Sequence, residues 1–126
     1  MYHARTIWLF TRSDLKTIVG PSTFFAVVCT FAARSILACD PPSALHIVAR
    51  IPKTAFWVWC NLLPFAMDNQ RQAESIEEDK FNKPWRPLPS GRMSAGQATK
   101  LMLVFYAIAL AISAYMGGLS QCLTRT

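Results

Sequence analysis

The feature that most constrains this chain is the separation of its charges from its apolar residues along the sequence. The run Leu101–Met116 carries no charged residue at all. By contrast, Asp68, Glu74, Glu77, Glu78 and Asp79, five of the seven acidic residues, fall within one short block. Basic Arg71, Lys80, Lys83, Arg86 and Arg92 lie among them or just after them. A soluble domain spreads charge over its surface, at roughly a quarter of its residues. Here only 16% of residues are charged and 52% are hydrophobic. The segregation predicts an all-α integral membrane helical bundle with roughly three transmembrane helices, each needing about twenty apolar residues. A chain of 126 residues fits one such unit.

Taken in order, residues 1–16 hold His3, Arg5, Arg12 and Lys16 around the apolar patch Ile7-Trp8-Leu9-Phe10. They read as an interfacial lead-in, with aromatic rings at headgroup depth and basic groups in water. The long apolar stretch begins only after Lys16, which disfavours a signal peptide. Ser13 is placed to cap a helix starting at Asp14. The first span is expected over 17–39, bent near Gly20-Pro21. Within it, Arg34 is a costly charge that either snorkels, pairs with a neighbouring helix or faces a polar cavity.

Asp40-Pro41-Pro42-Ser43 ends that helix. A second span is expected over 45–68, kinked where Pro52-Lys53 interrupts it, with His46 near its start in a structural role. The acidic block then continues this helix toward water. Lys83-Pro84 and the Pro87, Pro89, Gly91 series end it and form a loop, so that 69–100 is a polar motif and loop. Ser94 is placed to cap the third helix, whose span is expected over 101–119, with Gly117-Gly118 allowing close helix contact.

The net charge of +6 does not point to nucleic acid, because no basic stripe alternates with exposed aromatics. Lys and Arg concentrate at the amino end and in the polar block. The positive-inside rule therefore puts the amino terminus and the motif loop on the cytoplasmic side. Cys29, Cys39, Cys60 and Cys122 have neither CxxC spacing nor a nearby His set, and read as buried free thiols.

On a continuous helix, positions four apart share a face. Asn69, Ala73 and Glu77 form one such series, and Glu74 and Glu78 its neighbour. Asn69, Glu74, Glu77 and Glu78 thus form an oxygen-rich patch suited to Mg²⁺, which takes one or two carboxylates and fills its shell with water and phosphate. Arg71, Lys83, Arg86 and Arg92 are the candidates to hold phosphate oxygens. The plainer reading is a solvated helix end with local pairs such as Glu78 with Asn82 or Arg71 with Ser75. No catalytic residue is assigned.

The stretch Glu77-Glu78-Asp79…Asn82-Lys83-Pro84-Trp85-Arg86-Pro87-Leu88-Pro89-Ser90-Gly91-Arg92 resembles the first motif and following loop of the UbiA superfamily of intramembrane prenyltransferases. It is most like the fungal branch that includes membrane terpene cyclases. The lead-in Trp8-Leu9-Phe10-Thr11-Arg12-Ser13-Asp14-Leu15-Lys16 followed by Pro21 resembles that branch too. In the family an NxxxDxxxD-like motif binds Mg²⁺ and a prenyl diphosphate at the cytoplasmic mouth of a helical cavity. Asn69 matches the Asn, Glu77 the last acid, and Arg86 the basic residue of the loop. The middle acid falls on Ala73, a departure for which neighbouring Glu74 substitutes. A second Asp-rich motif, which the family carries further on, is not found after Lys100.

The resemblance implies Mg²⁺-assisted loss of diphosphate from an isoprenoid diphosphate, followed by transfer or cyclisation. The chain reads as the amino-terminal third of such an enzyme, needing a missing carboxyl-terminal portion or self-association to enclose a prenyl chain. The short chain alone is not expected to be active. Two rivals stand beside it: an inactive truncated remnant, and a small membrane protein binding anionic lipid headgroups. The endoplasmic reticulum is the family-level expectation for location.

Overall fold

The computed structural model describes residues 2–36 and 43–116. Cys39, the Asp40–Pro42 breaker, Gly117-Gly118, Cys122 and the expected ends of the first and third spans lie outside them, as does the side chain of Arg34. The described residues are all-helical. Helix α1 covers Tyr2–Thr11 and α2 covers Gly20–Ile36; α3 runs over Ala44–Gln70, α4 over Ala73–Asn82 and α5 over Ala95–Tyr115.

A π-helical segment, Leu15–Val19, runs directly into α2. Its cause is Pro21, which has no N–H and whose ring crowds the carbonyl four residues earlier. Widening the preceding turn relieves that crowding. The Val19 N–H accordingly donates to the Asp14 carbonyl at 3.3 Å, and the Gly20 N–H to the Leu15 carbonyl. Asp14, not Ser13, occupies the N-cap position, and it makes no side-chain capping bond.

Helix α3 is 27 residues long and contains both Pro52 and Pro64. Ser43 caps it by accepting from the His46 N–H. The polar block does not continue this helix, contrary to the sequence expectation. The chain breaks at Arg71-Gln72, with Gln72 extended at ψ 141°. Side chains close the end of α3: Arg71 Nε donates to Asp68 at 2.8 Å, and Gln70 is drawn inward to the Phe10 carbonyl. Ser94 caps α5 as expected, in a reciprocal box with Gln97.

Two described segments are long and apolar enough to cross a membrane, Leu15–Ala32 and Ala95–Tyr115. They are buried over only 11% and 17% of those windows, unlike the core helix of a soluble protein, so their apolar side chains face outward. Phe24, Phe25, Leu103 and Leu110 are all exposed. Both segments are compatible with a membrane protein. Helix α3 has the length of a span but is not among them; its first turns carry His46, Arg50 and Lys53.

The buried core sits at the end of the bundle under the loop. Phe10 of α1, Leu63 and Met67 of α3, Leu88 of the loop, and Ala98 and Met102 of α5 pack together there. Helix α1 is strapped to α3 by two polar contacts. Trp59 Nε1 donates to Thr11 Oγ1 at 2.9 Å, and Gln70 Nε2 donates to the Phe10 carbonyl at 2.7 Å. Further along, Trp57 Nε1 and Asn61 Nδ2 both reach Ser113 Oγ on α5, at 3.1 and 3.5 Å.

Candidate functional site

The polar block folds into α4 and a tight proline loop lying over that core. Helix α4 begins with Glu74 in its first turn and ends with Lys80 in its last, a charge order that suits the helix dipole. The Lys83 N–H donates to the Asp79 carbonyl at 2.8 Å and ends the helix before Pro84. The loop then closes on itself through the Pro87 carbonyl, which accepts from the Arg92 and Met93 N–H groups at 3.0 and 3.2 Å. Gly91 takes φ 68°, a left-handed conformation that favours glycine, while its missing side chain would meet nothing within 4 Å. The turn selects glycine by backbone conformation alone.

Glu74, Glu77 and Glu78 are exposed on α4, and Asn69 is exposed in the last turn of α3. Because the two helices are separate, Asn69 does not share a continuous helix face with Glu77. Glu74 and Glu78 keep their four-residue spacing on one helix. Glu77 pairs with Lys80 at 2.5 Å, and Glu78 accepts from Asn82 at 3.2 Å, the local pair read from the sequence. Arg71 pairs with Asp68 at 2.7 Å rather than with Ser75.

The basic candidates divide by exposure. Lys83 and Arg92 are half-buried, whereas Arg86 is buried and faces inward. Arg86 Nη1 donates to Asp79 Oδ2 at 2.6 Å, and the two side chains keep only 11% and 7% of their exposure. Arg86 therefore anchors the loop to α4 instead of projecting a free guanidinium. Asp79, which the sequence reading left out of the site, is the one buried acid of the block. Its isolation from four similar neighbours carries no sequence signal. The Arg92 guanidinium lies 4.6 Å from the Tyr2 ring centroid, a cation–π distance. It borders a hollow of about 530 Å³ between α1 and α5, whose apolar lining includes Ile7, Met93, Leu101 and Val104.

Among the described residues, no three His, Cys, Asp or Glu side chains come together to hold a metal ion. The chain therefore builds no closed metal cage there. Mg²⁺ asks for less, since one or two hard carboxylate oxygens suffice when phosphate and water complete the shell. Exposed Glu74, Glu77 and Glu78 fit that limited requirement.

Over most of its length the chain is similar to enzymes of known product. It is 34% identical over 116 residues to fumagillin beta-trans-bergamotene synthase of Aspergillus fumigatus, covering 92% of this chain and 35% of that enzyme. It is 30% identical over 106 residues to a diterpene cyclase of Hericium erinaceus, covering 84% of this chain and 31% of the relative. A shorter match, 50% identical over 42 residues, is to digeranylgeranylglyceryl phosphate synthase of Sulfolobus acidocaldarius, covering 33% of this chain and 15% of that enzyme. The chain thus spans about a third of the length of the relatives that it matches most fully. No family model and no solved structure matches it.

Proposed function

We propose that this chain is part of a UbiA-type intramembrane enzyme acting on an isoprenoid diphosphate. The observation that carries the reading is the 34% identity to a terpene synthase across 92% of the chain. The exposed carboxylates of α4 and the half-buried Lys83 and Arg92, which border separate hollows, supply the residue types that this chemistry needs.

In this reading Glu74, Glu77 and Glu78, with Asn69 from α3, supply hard oxygens to Mg²⁺ at the membrane edge. When bound, the ion supplies positive charge to the departing diphosphate. Lys83, Arg71 and Arg92 hold phosphate oxygens as the allylic carbon–oxygen bond breaks and its electron pair leaves with the diphosphate. The allylic cation is then captured by an acceptor or by the chain's own double bonds. Arg86 acts through Asp79, keeping the loop and α4 in register, and is a positioning residue. The hollow beside Arg92, apolar inside and basic at its rim, suits the first units of a prenyl chain. The motif loop faces the cytoplasm, with the endoplasmic reticulum as the site of action. The apolar faces of α2, α3 and α5 meet lipid or further helices.

The test is binding of farnesyl diphosphate to the full chain in detergent, with Mg²⁺ and with EDTA. Mg²⁺-dependent binding that Glu77→Gln weakens at least fivefold, and Arg5→Gln leaves alone, is the expected result. Equal effects of the two substitutions would sink the metal-site assignment.

A further inference from the structure

Where α1 gives way to the π-helical segment, the chain faces the proline loop across a hollow of about 450 Å³. Its lining includes three cations from two distant parts of the sequence, Arg12 and Lys16 from the lead-in and Lys83 from the loop. Ser13, Asp14, Thr17 and the Trp85 indole complete it. The Arg12 guanidinium stands 5.7 Å from the Trp85 ring centroid, so the ring holds it across the hollow without neutralising it.

None of these cations has an acidic partner within ion-pair distance among the described residues. The acids that could have served are engaged elsewhere: Asp68 with Arg71, Glu77 with Lys80, and Asp79 with Arg86. Asp14 is the single carboxylate lining the hollow. Three cations facing one acid leave a net positive cleft with an arginine fork, two ammonium groups and hydroxyls as donors. That set matches the oxygens of a phosphate group. The cleft also opens where the apolar segment Leu15–Ala32 begins, which is headgroup depth if that segment enters a bilayer.

We infer that this hollow is a binding site for a phosphate group, carried by an anionic lipid headgroup or by a soluble diphosphate. It uses no carboxylate patch and no metal. It shares Lys83 with the surface proposed above for the diphosphate, but it needs neither the α4 carboxylates nor a prenyl chain.

The experiment uses the full chain in EDTA. One arm titrates inorganic pyrophosphate onto protein in phosphatidylcholine nanodiscs; the other compares those nanodiscs with ones containing phosphatidic acid. Binding is read by calorimetry in the first arm and by Trp85 fluorescence in the second, with Trp85→Phe as the blank. Binding in either arm supports the site, and the arm that responds identifies the source. Lys16→Gln, Lys83→Gln and Arg12→Gln should each weaken it at least fivefold, while Arg5→Gln leaves it within twofold; circular dichroism checks that each variant stays helical. Three results would overturn the proposal: no binding in either arm, equal loss with Arg5→Gln, or binding that neither Lys16→Gln nor Lys83→Gln weakens more than twofold.

Discussion

Asp79 and Arg86 form a largely buried ion pair at 2.6 Å that joins the last turns of α4 to the proline loop. Removing one partner leaves the other charge shielded from water and unpaired, which costs about 3–5 kcal/mol. Asp79→Ala and Arg86→Ala should each lower the denaturation midpoint sharply. The double replacement Asp79→Leu/Arg86→Met should recover most of that loss, because it removes both charges together. A double variant as unstable as the singles would show that the pair does not hold the loop.

That pair marks the boundary of what could be read from the residues alone. The helical class follows from long apolar runs, and the Ser94 cap and the loop at Pro84–Gly91 follow from local chemistry that acts over three or four residues. The bend before α2 is likewise legible from Pro21. The break at Arg71-Gln72 is different, because neither Gly nor Pro stands there. It depends on Gln70 reaching the Phe10 carbonyl, a contact between residues sixty positions apart. The same holds for the basic hollow, where Lys83 meets Arg12 and Lys16 only after folding. The candidate carboxylates Glu74, Glu77 and Glu78 emerge on one helix, but Asn69 belongs to another.

The strap on α1 gives a second prediction. Thr11 is fully buried and accepts the Trp59 indole N–H. Thr11→Val keeps the shape but removes the acceptor, leaving a half-buried donor unpaired at a cost of about 1–3 kcal/mol. Hydrogen exchange should show faster opening of α1 while α5 is little changed. Uniform loss of protection in both helices would mean that α1 has no separate opening.

The cap of α5 is a local, independent element. Ser94→Ala removes the acceptor for the Gln97 N–H and leaves only the reciprocal bond, from the residue 94 N–H to Gln97 Oε1. The expected cost is about 1 kcal/mol. Ser94→Asp should retain most of the stability, because a carboxylate both caps and suits the helix amino end. If Ser94→Asp were as damaging as Ser94→Ala, the cap would not be the reason for the loss.

Glu77 lies in an exposed pair with Lys80, and this competes with any cation that the carboxylate would hold. Exposed pairs of this kind are worth about 0.2–1 kcal/mol, so releasing Glu77 should have a small and salt-sensitive effect. Lys80→Met should lower the Mg²⁺ concentration needed for half-maximal farnesyl diphosphate binding about two- to fivefold at low ionic strength. The gain should shrink at about 1 M salt, where screening reaches only about 3 Å. Lys80→Met combined with Glu77→Gln should show no such gain, since the carboxylate that Lys80 masks is then absent. A gain that survives in the double variant would assign the effect to loop charge in general and remove Glu77 from the metal site.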